Sequence, residues 1–229
     1  MNKTKLLAAV CCTAMLFAAC EKSEPTNNSS EDPTIFMGTE NGYEWVDLGL
    51  SVKWATCNLG ATKPEEYGNY YAWGEIATKS DYSWSTYKYG TDRALTKYCN
   101  DSGYGIVDKK AILEATDDAA IQNWGGNWRM PTDDEWQELI DNCTLTWTTL
   151  NGVNGCEVKA INGSSIFLPA AGYRNNVELC YAGSFGEYWS NSLATFYPDY
   201  AYFALFYSDY HNMSNSNRDF GRSVRPVVE

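Results

Sequence analysis

One histidine, His211, is all the imidazole this chain contains. Serine–histidine triads, histidine-ligated zinc centres and most proton relays are thereby left without their usual group. The eight cysteines include no C-x-x-C pair, so a zinc ribbon has little support. Basic residues are scarce as well: 17 Lys and Arg face 29 Asp and Glu, a net charge of −12, with no basic stripe to track phosphates. Nucleic acid is therefore excluded as a partner. Long apolar runs are missing too. The longest, Leu6–Ala19, has 14 residues interrupted by Thr13, too short to cross about 30 Å of hydrocarbon as a helix. What is present is core material, 44% hydrophobic and 15% aromatic against 20% charged, which excludes a disordered chain. A length of 229 residues fits one irregular domain behind a leader.

The leader sets the compartment. Met1-Asn2-Lys3-Thr4-Lys5 is a short basic start, and the apolar run behind it reads as a signal-peptide core ending in Leu16-Phe17-Ala18-Ala19-Cys20. Small residues before a cysteine resemble the lipobox of bacterial lipoproteins, in which the cysteine is acylated and becomes the mature N-terminus. Phe17 is bulkier than the usual aliphatic there. Several acyl chains on Cys20 would hold the protein stably on a membrane, where one chain is marginal. The expected division is 1–19 signal peptide, 20–39 flexible tether and 40–229 folded domain. The tether is rich in Ser, Asn, Glu, Pro and Thr. Glu21 and Glu24 resemble an acidic export signal of some gut bacteria, pointing to an outer-membrane protein displayed at the cell surface. Removing the leader with its two lysines leaves 29 acidic against 15 basic residues, or −14. Five cysteines then remain, Cys57, Cys99, Cys143, Cys156 and Cys180, an odd number whose connectivity sequence does not define.

Within the folded part, Tyr43–Leu50 and Val52–Cys57 alternate and read as two strands around a tight turn, with Tyr70–Glu75 as a third. Lys79–Gly105 reads as a long polar excursion. Asp117–Trp124, closed by Gly125-Gly126, fits a short helix. A second helix is expected over Asp133–Asn142, with Thr132 and Glu135 as capping box and Trp136, Leu139 and Ile140 as its apolar stripe. Asn162-Gly163 between Gly155–Ile161 and Ser165–Pro169 predicts a hairpin. Tyr188–Ser190, Tyr200–Tyr207 and Arg222–Val228 are further strand candidates. The pattern predicts an α+β fold with two helices and many short strands.

Several blocks then point to a family. Y-E-W-V-D-L-G-L-S-V-K-W-A-T-C-N-L-G-A (43–61), W-G-G-N-W-R-M-P-T-D-D-E-W (124–136), I-F-L-P-A-A-G-Y-R (166–174), Tyr188-Trp189-Ser190 and G-R-S-V-R-P-V (221–227) together resemble the Fibrobacter succinogenes major paralogous domain. That family consists mostly of Bacteroidetes lipoproteins. The resemblance implies a C-type-lectin-like domain of short twisted antiparallel sheets, two helices and long loops, related to formylglycine-generating enzymes and to retroelement variable receptors. Members often end R-P-V-C where this chain has Val228, which implies a cysteine left without its partner.

Most motifs have ordinary structural readings. Glycines and tryptophans of the 124–136 block suit a helix exit and core filling, and Arg129, Arg222 and Arg225 suit anchoring roles. The acid pairs Glu65-Glu66, Asp117-Asp118 and Asp133-Asp134 are adjacent in sequence rather than opposed across a cleft, so they do not supply a glycosidase pair. No enzyme activity and no cofactor are expected. Ca²⁺ is conceivable only along Asp209–Asp219, which offers oxygen ligands without recognisable spacing. The most informative stretch is Tyr173–Phe220: its 48 residues hold eight Tyr, six Asn, six Ser and three Asp, and no Lys. That composition suits adaptable recognition surfaces. The expected function is a non-enzymatic module binding a glycan or surface protein, with a carbohydrate-active enzyme or a polymer subunit as alternatives. Ser208–Asp219 is expected to be an exposed recognition loop beside the Tyr200–Tyr207 strand. Its Asp209, Tyr210, His211, Asn212, Asn215 and Asn217 would form one patch with Arg174, Asn175, Asn176 and Tyr197.

Overall fold

The computed structural model describes residues 37–229; the leader, Cys20 and most of the expected tether lie outside that range. Fourteen short strands follow in chain order: β1 (Met37–Glu40), β2 (Tyr43–Val46), β3 (Lys53–Ala55), β4 (Gly90–Thr91), β5 (Ala94–Leu95), β6 (Thr144–Leu150), β7 (Val153–Lys159), β8 (Ser165–Pro169), β9 (Tyr173–Asn175), β10 (Glu178–Cys180), β11 (Gly186–Leu193), β12 (Tyr200–Tyr207), β13 (Tyr210–Asn217) and β14 (Val227–Val228). They form five antiparallel sheets, ordered β1-β2-β3-β14, β4-β5, β6-β7-β8, β9-β10 and β11-β12-β13. The turns follow from local chemistry. Asn41-Gly42 and Asn151-Gly152 both adopt positive φ at each residue (47 and 85°, 49 and 85°), the requirement of a two-residue hairpin whose twist matches its strands. A hairpin joins β7 to β8 as expected, but not through a two-residue Asn162-Gly163 turn: Lys159 pairs with Ser165, and of the two turn residues only Gly163 takes positive φ, 89°. At the other end of the chain β14 pairs with β3, Val227 opposite Trp54, so the C-terminus is stitched into the first sheet.

Two helices sit between β5 and β6. α1 (Ala119–Trp124) starts at Asp118, whose carboxylate accepts the Ala120 and Ile121 N–H groups, and stops at Gly125 with φ 64°. α2 (Asp133–Asn142) carries the full capping box of Thr132 and Glu135, three acids in its first turn, and Trp136 and Leu139 buried beneath. Acids there complement the helix dipole. Apolar residues collect in two clusters. One is built around Leu59, Trp73, Tyr98, Trp128 and Trp189. The other surrounds Trp54, Trp136, Leu168, Tyr188 and Val227. The tryptophans of the 124–136 block thus fill core, and Arg129 pairs with Glu135 at 2.6 Å.

The α+β, C-type-lectin-like expectation is overturned. Strand accounts for 39% and helix for 10%, arranged as five small antiparallel sheets, a mostly β, sandwich-like class. The two expected helices exist, but with six and ten residues they are minor beside the strands. Extra strand comes from segments whose polar sequence hides it. Ser208–Asp219 is not a loop: after the Ser208-Asp209 turn, β13 pairs with β12 over all eight of its residues. β6, Thr-Leu-Thr-Trp-Thr-Thr-Leu, was not anticipated, and β1 opens at Met37, inside the stretch read as tether. Conversely, Tyr70–Glu75 contributes a single bridge, Tyr71 to Arg222, and Arg222–Val228 is regular strand only at its end.

Charges are buried along the closing segment. Arg218, Arg222 and Arg225 are all essentially inaccessible, a costly placement for any donor left unsatisfied, as Arg218 Nε and Arg222 Nη1 are among the described residues. Arg225 donates to Asn58 Oδ1, Ala55 O and Phe167 O at 2.9, 3.0 and 2.8 Å. Asp219 is less well served, since its Oδ1 is buried without a hydrogen-bond partner among the described residues. Burial pushes its carboxyl up to about 7, against the opposing pull of its own backbone N–H, Lys79 and Arg222. The folded form therefore holds a proton that the unfolded chain releases near pH 4, so this group favours folding below pH 4 and that advantage is lost as pH rises to 7. Urea unfolding at pH 4.5 and at pH 8 is expected to show Asp219→Asn gaining roughly 2–4 kcal/mol on the parent between the two; parallel profiles would refute the buried-proton account.

Candidate functional site

Six aromatic rings from three strands and two connecting segments form a continuous ladder within Tyr173–Phe220. Phe220 lies against Tyr173 at 5.5 Å between centroids, Tyr173 against Tyr181 at 6.0 Å, Tyr181 against Phe185 at 4.7 Å, Phe185 against Tyr207 at 5.2 Å and Tyr207 against Tyr210 at 5.0 Å. Interplanar angles stay between 10° and 35°, the offset near-parallel arrangement favoured by ring quadrupoles. The strands set the spacing. Tyr207 and Tyr210 are cross-strand partners at the β12–β13 turn, and Tyr173 is delivered by β9, whose backbone Arg174 exchanges hydrogen bonds with Gly221. Gly172 makes the return of the β9–β10 hairpin possible: at φ 63°, any Cβ would lie 2.0 Å from Cys180 O. Tyr181 is held in the same left-handed region, at φ 55°, and its carbonyl accepts the Ser184 and Phe185 N–H groups, which folds Phe185 back under it. Beneath one end, the Arg222 guanidinium lies 5.6 Å from the Phe220 ring, 5.5 Å from Tyr173 and 4.0 Å from Phe203, and Nε donates to Glu187 at 2.7 Å.

The hydroxyl groups separate this ladder from the core. Tyr70, Tyr82, Tyr87 and Tyr188 donate to the carbonyls of Ala171, Tyr70, Trp73 and Pro169 at 2.6–2.7 Å, and Tyr98 donates to Asp117. The hydroxyls of Tyr173, Tyr181, Tyr207 and Tyr210 make no such bond among the described residues, and none is a buried orphan. They face solvent. Tyr181 is 57% and Tyr210 39% exposed, flanked by exposed Val177 and Leu179. An apolar body with a wet polar tip is what an aromatic contact surface needs.

The residues expected from sequence divide into two groups. Asp209, Tyr210, His211 and Asn212 sit together at the β12–β13 turn and are exposed. Asp209, Tyr210 and His211 line a small cleft of about 170 Å³ with Trp147, Phe206 and Tyr207. Arg174, Asn175 and Asn176 stand at the β9–β10 hairpin; the Arg174 guanidinium covers the Tyr70 ring at 5.3 Å, and Asn176 exchanges backbone hydrogen bonds with Tyr82. The ladder joins these two places through Tyr173, Tyr181, Phe185 and Tyr207. Tyr197 does not belong with them. It is exposed, but it precedes Tyr200, which pairs with Asn217 at the opposite end of the hairpin from Tyr210. Asn215 and Asn217 run along β13 toward that far end. Tyr173, Tyr181, Phe185, Tyr207 and Phe220 were not singled out by sequence, although all fall in the Tyr-rich stretch.

Other candidate chemistry is spoken for. Asp209 and Asp219 flank β13 on opposite sides, and no group of three or more His, Cys, Asp or Glu able to hold a metal occurs among the described residues. Glu65 accepts Asn151 Nδ2 and Glu66 accepts the Thr62 and Lys63 N–H groups. Asp117 takes Lys88, Lys97 and the Tyr98 hydroxyl at 3.0, 2.5 and 2.7 Å, contacts that hold its carboxyl below the usual range despite burial. The five cysteines of the domain are unpaired, and burial pushes the Cys143 and Cys156 thiols up to about 11 and 12, away from reactivity. A cleft of about 610 Å³ beside β1–β2 and β6–β8 is lined by Val46, Ile166 and Phe167 and by two acids, Glu44 and Glu157, both exposed. No protein-family model, curated protein or solved structure matches the chain.

Proposed function

We propose that this protein is a non-enzymatic binding module that engages glycans through the Phe220–Tyr210 ladder. The observation that carries the reading is a contrast in hydroxyl use: Tyr70, Tyr82, Tyr87, Tyr98 and Tyr188 of the core, though not Tyr89, spend theirs on the protein, whereas the ladder tyrosines make no such bond among the described residues. Ring surface that the stack leaves uncovered attracts sugar C–H groups, and the hydroxyls with Asp209 and Asn212 supply hydrogen bonds to sugar hydroxyls. A row of six rings suits a chain ligand better than a monosaccharide. The test is a glycan array probed with the protein and with Tyr181→Ala. Binding to extended oligosaccharides that disappears in the variant supports the reading; equal binding by both, or capture of protein ligands alone, overturns it.

The same proposal places the module on the outer membrane, acylated at Cys20 and facing outward, as a lipoprotein of the major paralogous type. It rests on the leader and the ordered sequence blocks. No helix among the described residues is long and apolar enough to cross a membrane, so attachment would fall to the lipid. Metabolic labelling with a fatty-acid analogue should tag the parent and leave Cys20→Ala blank; equal labelling would remove the anchor.

A further inference from the structure

The cleft at the tip of the β12–β13 hairpin draws its lining from two sheets. Its volume is about 170 Å³, the liquid space of roughly five or six water molecules. The hairpin contributes through its register: Tyr207 lies opposite Tyr210 and Phe206 opposite His211, on either side of the Ser208-Asp209 turn, and all six residues reach the cleft. β6 and β7 contribute the rest. Trp147 pairs with Cys156, and cross-strand partners share a face, so half-buried Trp147 and buried Cys156 line the cleft together. The charged residues of β7 nearby, Glu157 and Lys159, alternate to the exposed face.

Four aromatic side chains, Trp147, Phe206, Tyr207 and Tyr210, thus surround a space whose lining holds one carboxylate and no Lys or Arg. Asp209 forms no ion pair among the described residues, and its one hydrogen bond there comes from the Ser208 hydroxyl at 3.3 Å. α2, packed on β13, brings five acids and no base, and the chain as a whole carries −12. These charges decide what the space can hold. An anion would meet both Asp209 and the negative ring faces. An uncharged apolar group would suit the rings but strip water from Asp209 without replacing it. A divalent metal needs several oxygen ligands, and the lining has a single acid. An ammonium that carries alkyl groups sets carbon against the rings, places positive charge near their faces and gives Asp209 a counter-ion.

We infer that this cleft binds an alkyl-substituted ammonium group presented on a stem, with Trp147, Tyr207 and Tyr210 against its carbon substituents and Asp209 balancing its charge. Rings grouped around a cation are the general means of recognising quaternary nitrogen, because such an ion is weakly hydrated and the ring quadrupole attracts it. Tyr207 and Tyr210 are ordered before the ligand arrives: they stack at 5.0 Å with 16° between their planes, which reduces the side-chain entropy lost on binding. The ammonium site does not depend on what the ladder binds.

Titration calorimetry of the purified full chain with choline tests it, against the uncharged alcohol that carries carbon where choline carries nitrogen. The two probes share a shape, so their difference reads charge alone. Choline should bind at least about tenfold more tightly. Asp209→Asn preserves the size of this exposed turn residue and should abolish the preference with the urea midpoint unchanged. Trp147→Leu should weaken choline by about tenfold as well, whereas Tyr197→Ala, beyond the far end of the hairpin, should bind like the parent. A second arm separates a membrane headgroup from a soluble ammonium compound, using phosphatidylcholine vesicles and Cys20→Ala so that no acyl chain contributes. Vesicle retention that free choline displaces assigns the headgroup, and choline binding without retention assigns the soluble compound. Equal affinity for the two calorimetric probes, no choline binding, or choline binding that survives both Asp209→Asn and Trp147→Leu would overturn the inference. Choline binding by a chain that captures no glycan would remove the functional proposal and leave this one standing; glycan capture without choline binding would do the reverse.

Discussion

Arg225→Ala is expected to lower the unfolding free energy by about 3–5 kcal/mol, measured as the urea midpoint shift at constant slope. The side chain is completely buried between the first sheet and the β7–β8 hairpin, and its guanidinium satisfies Asn58 Oδ1, Ala55 O and Phe167 O. Alanine would leave those acceptors in a space too small and apolar for easy rehydration, and each unsatisfied buried group costs about 1–3 kcal/mol. A domain's whole stability is about 5–15 kcal/mol, so little margin would remain at 37 °C. Arg225→Lys should recover only part of the loss, because one ammonium cannot reproduce the planar fork. Arg174→Ala is the control. Its guanidinium lies over Tyr70 at 5.3 Å and is only half-buried, so the cost should stay near 1 kcal/mol. Equal losses for the two arginines would show that burial and satisfied geometry do not set the difference.

The same contrast explains what the sequence revealed and what it hid. Local signals were legible because their physics is local. Thr132 with Glu135, Asn162-Gly163 and the Tyr200–Tyr207 run each encode one element, and α2, the β7–β8 hairpin and β12 follow them. β13 was hidden because its strand character comes from pairing with β12, while Asn and Ser have turn preferences of their own. The fold class failed for a related reason: segments read as loops added strand, and two short helices do not make a layer. Composition marked the Tyr173–Phe220 region, yet the ladder joins rings 3 to 47 residues apart in sequence through tertiary placement. Tyr197 looked equivalent to Tyr210 by composition, and only the hairpin register separates them.

Tyr181→Ala is expected to weaken glycan binding by roughly 30-fold, about 2 kcal/mol, the scale of a central aromatic contact. The ring is more than half exposed and stacks on Phe185 at 4.7 Å and near Tyr173 at 6.0 Å, so the loss falls on the middle of the surface. Its left-handed backbone, costly for a bulky residue, is retained by the hydrogen bonds from Ser184 and Phe185, which orient the ring before ligand arrives and so reduce the ordering cost of binding. Stability should change by less than about 1 kcal/mol, as for other exposed sites. Tyr181→Phe keeps the stack and removes the free hydroxyl, and should cost only about 0.5–1.5 kcal/mol. Tyr210→Ala, at the ladder's end, should fall between the two. Tyr197→Ala is the decisive comparison: it is equally exposed and equally aromatic, but stands beyond the far end of β12. Titration calorimetry with an oligosaccharide found on the array should leave Tyr197→Ala at the parent's affinity. If it loses as much as Tyr181→Ala, recognition follows exposed tyrosine in general and the ladder has no special role; if only the ladder variants lose, the stacked row is the binding surface.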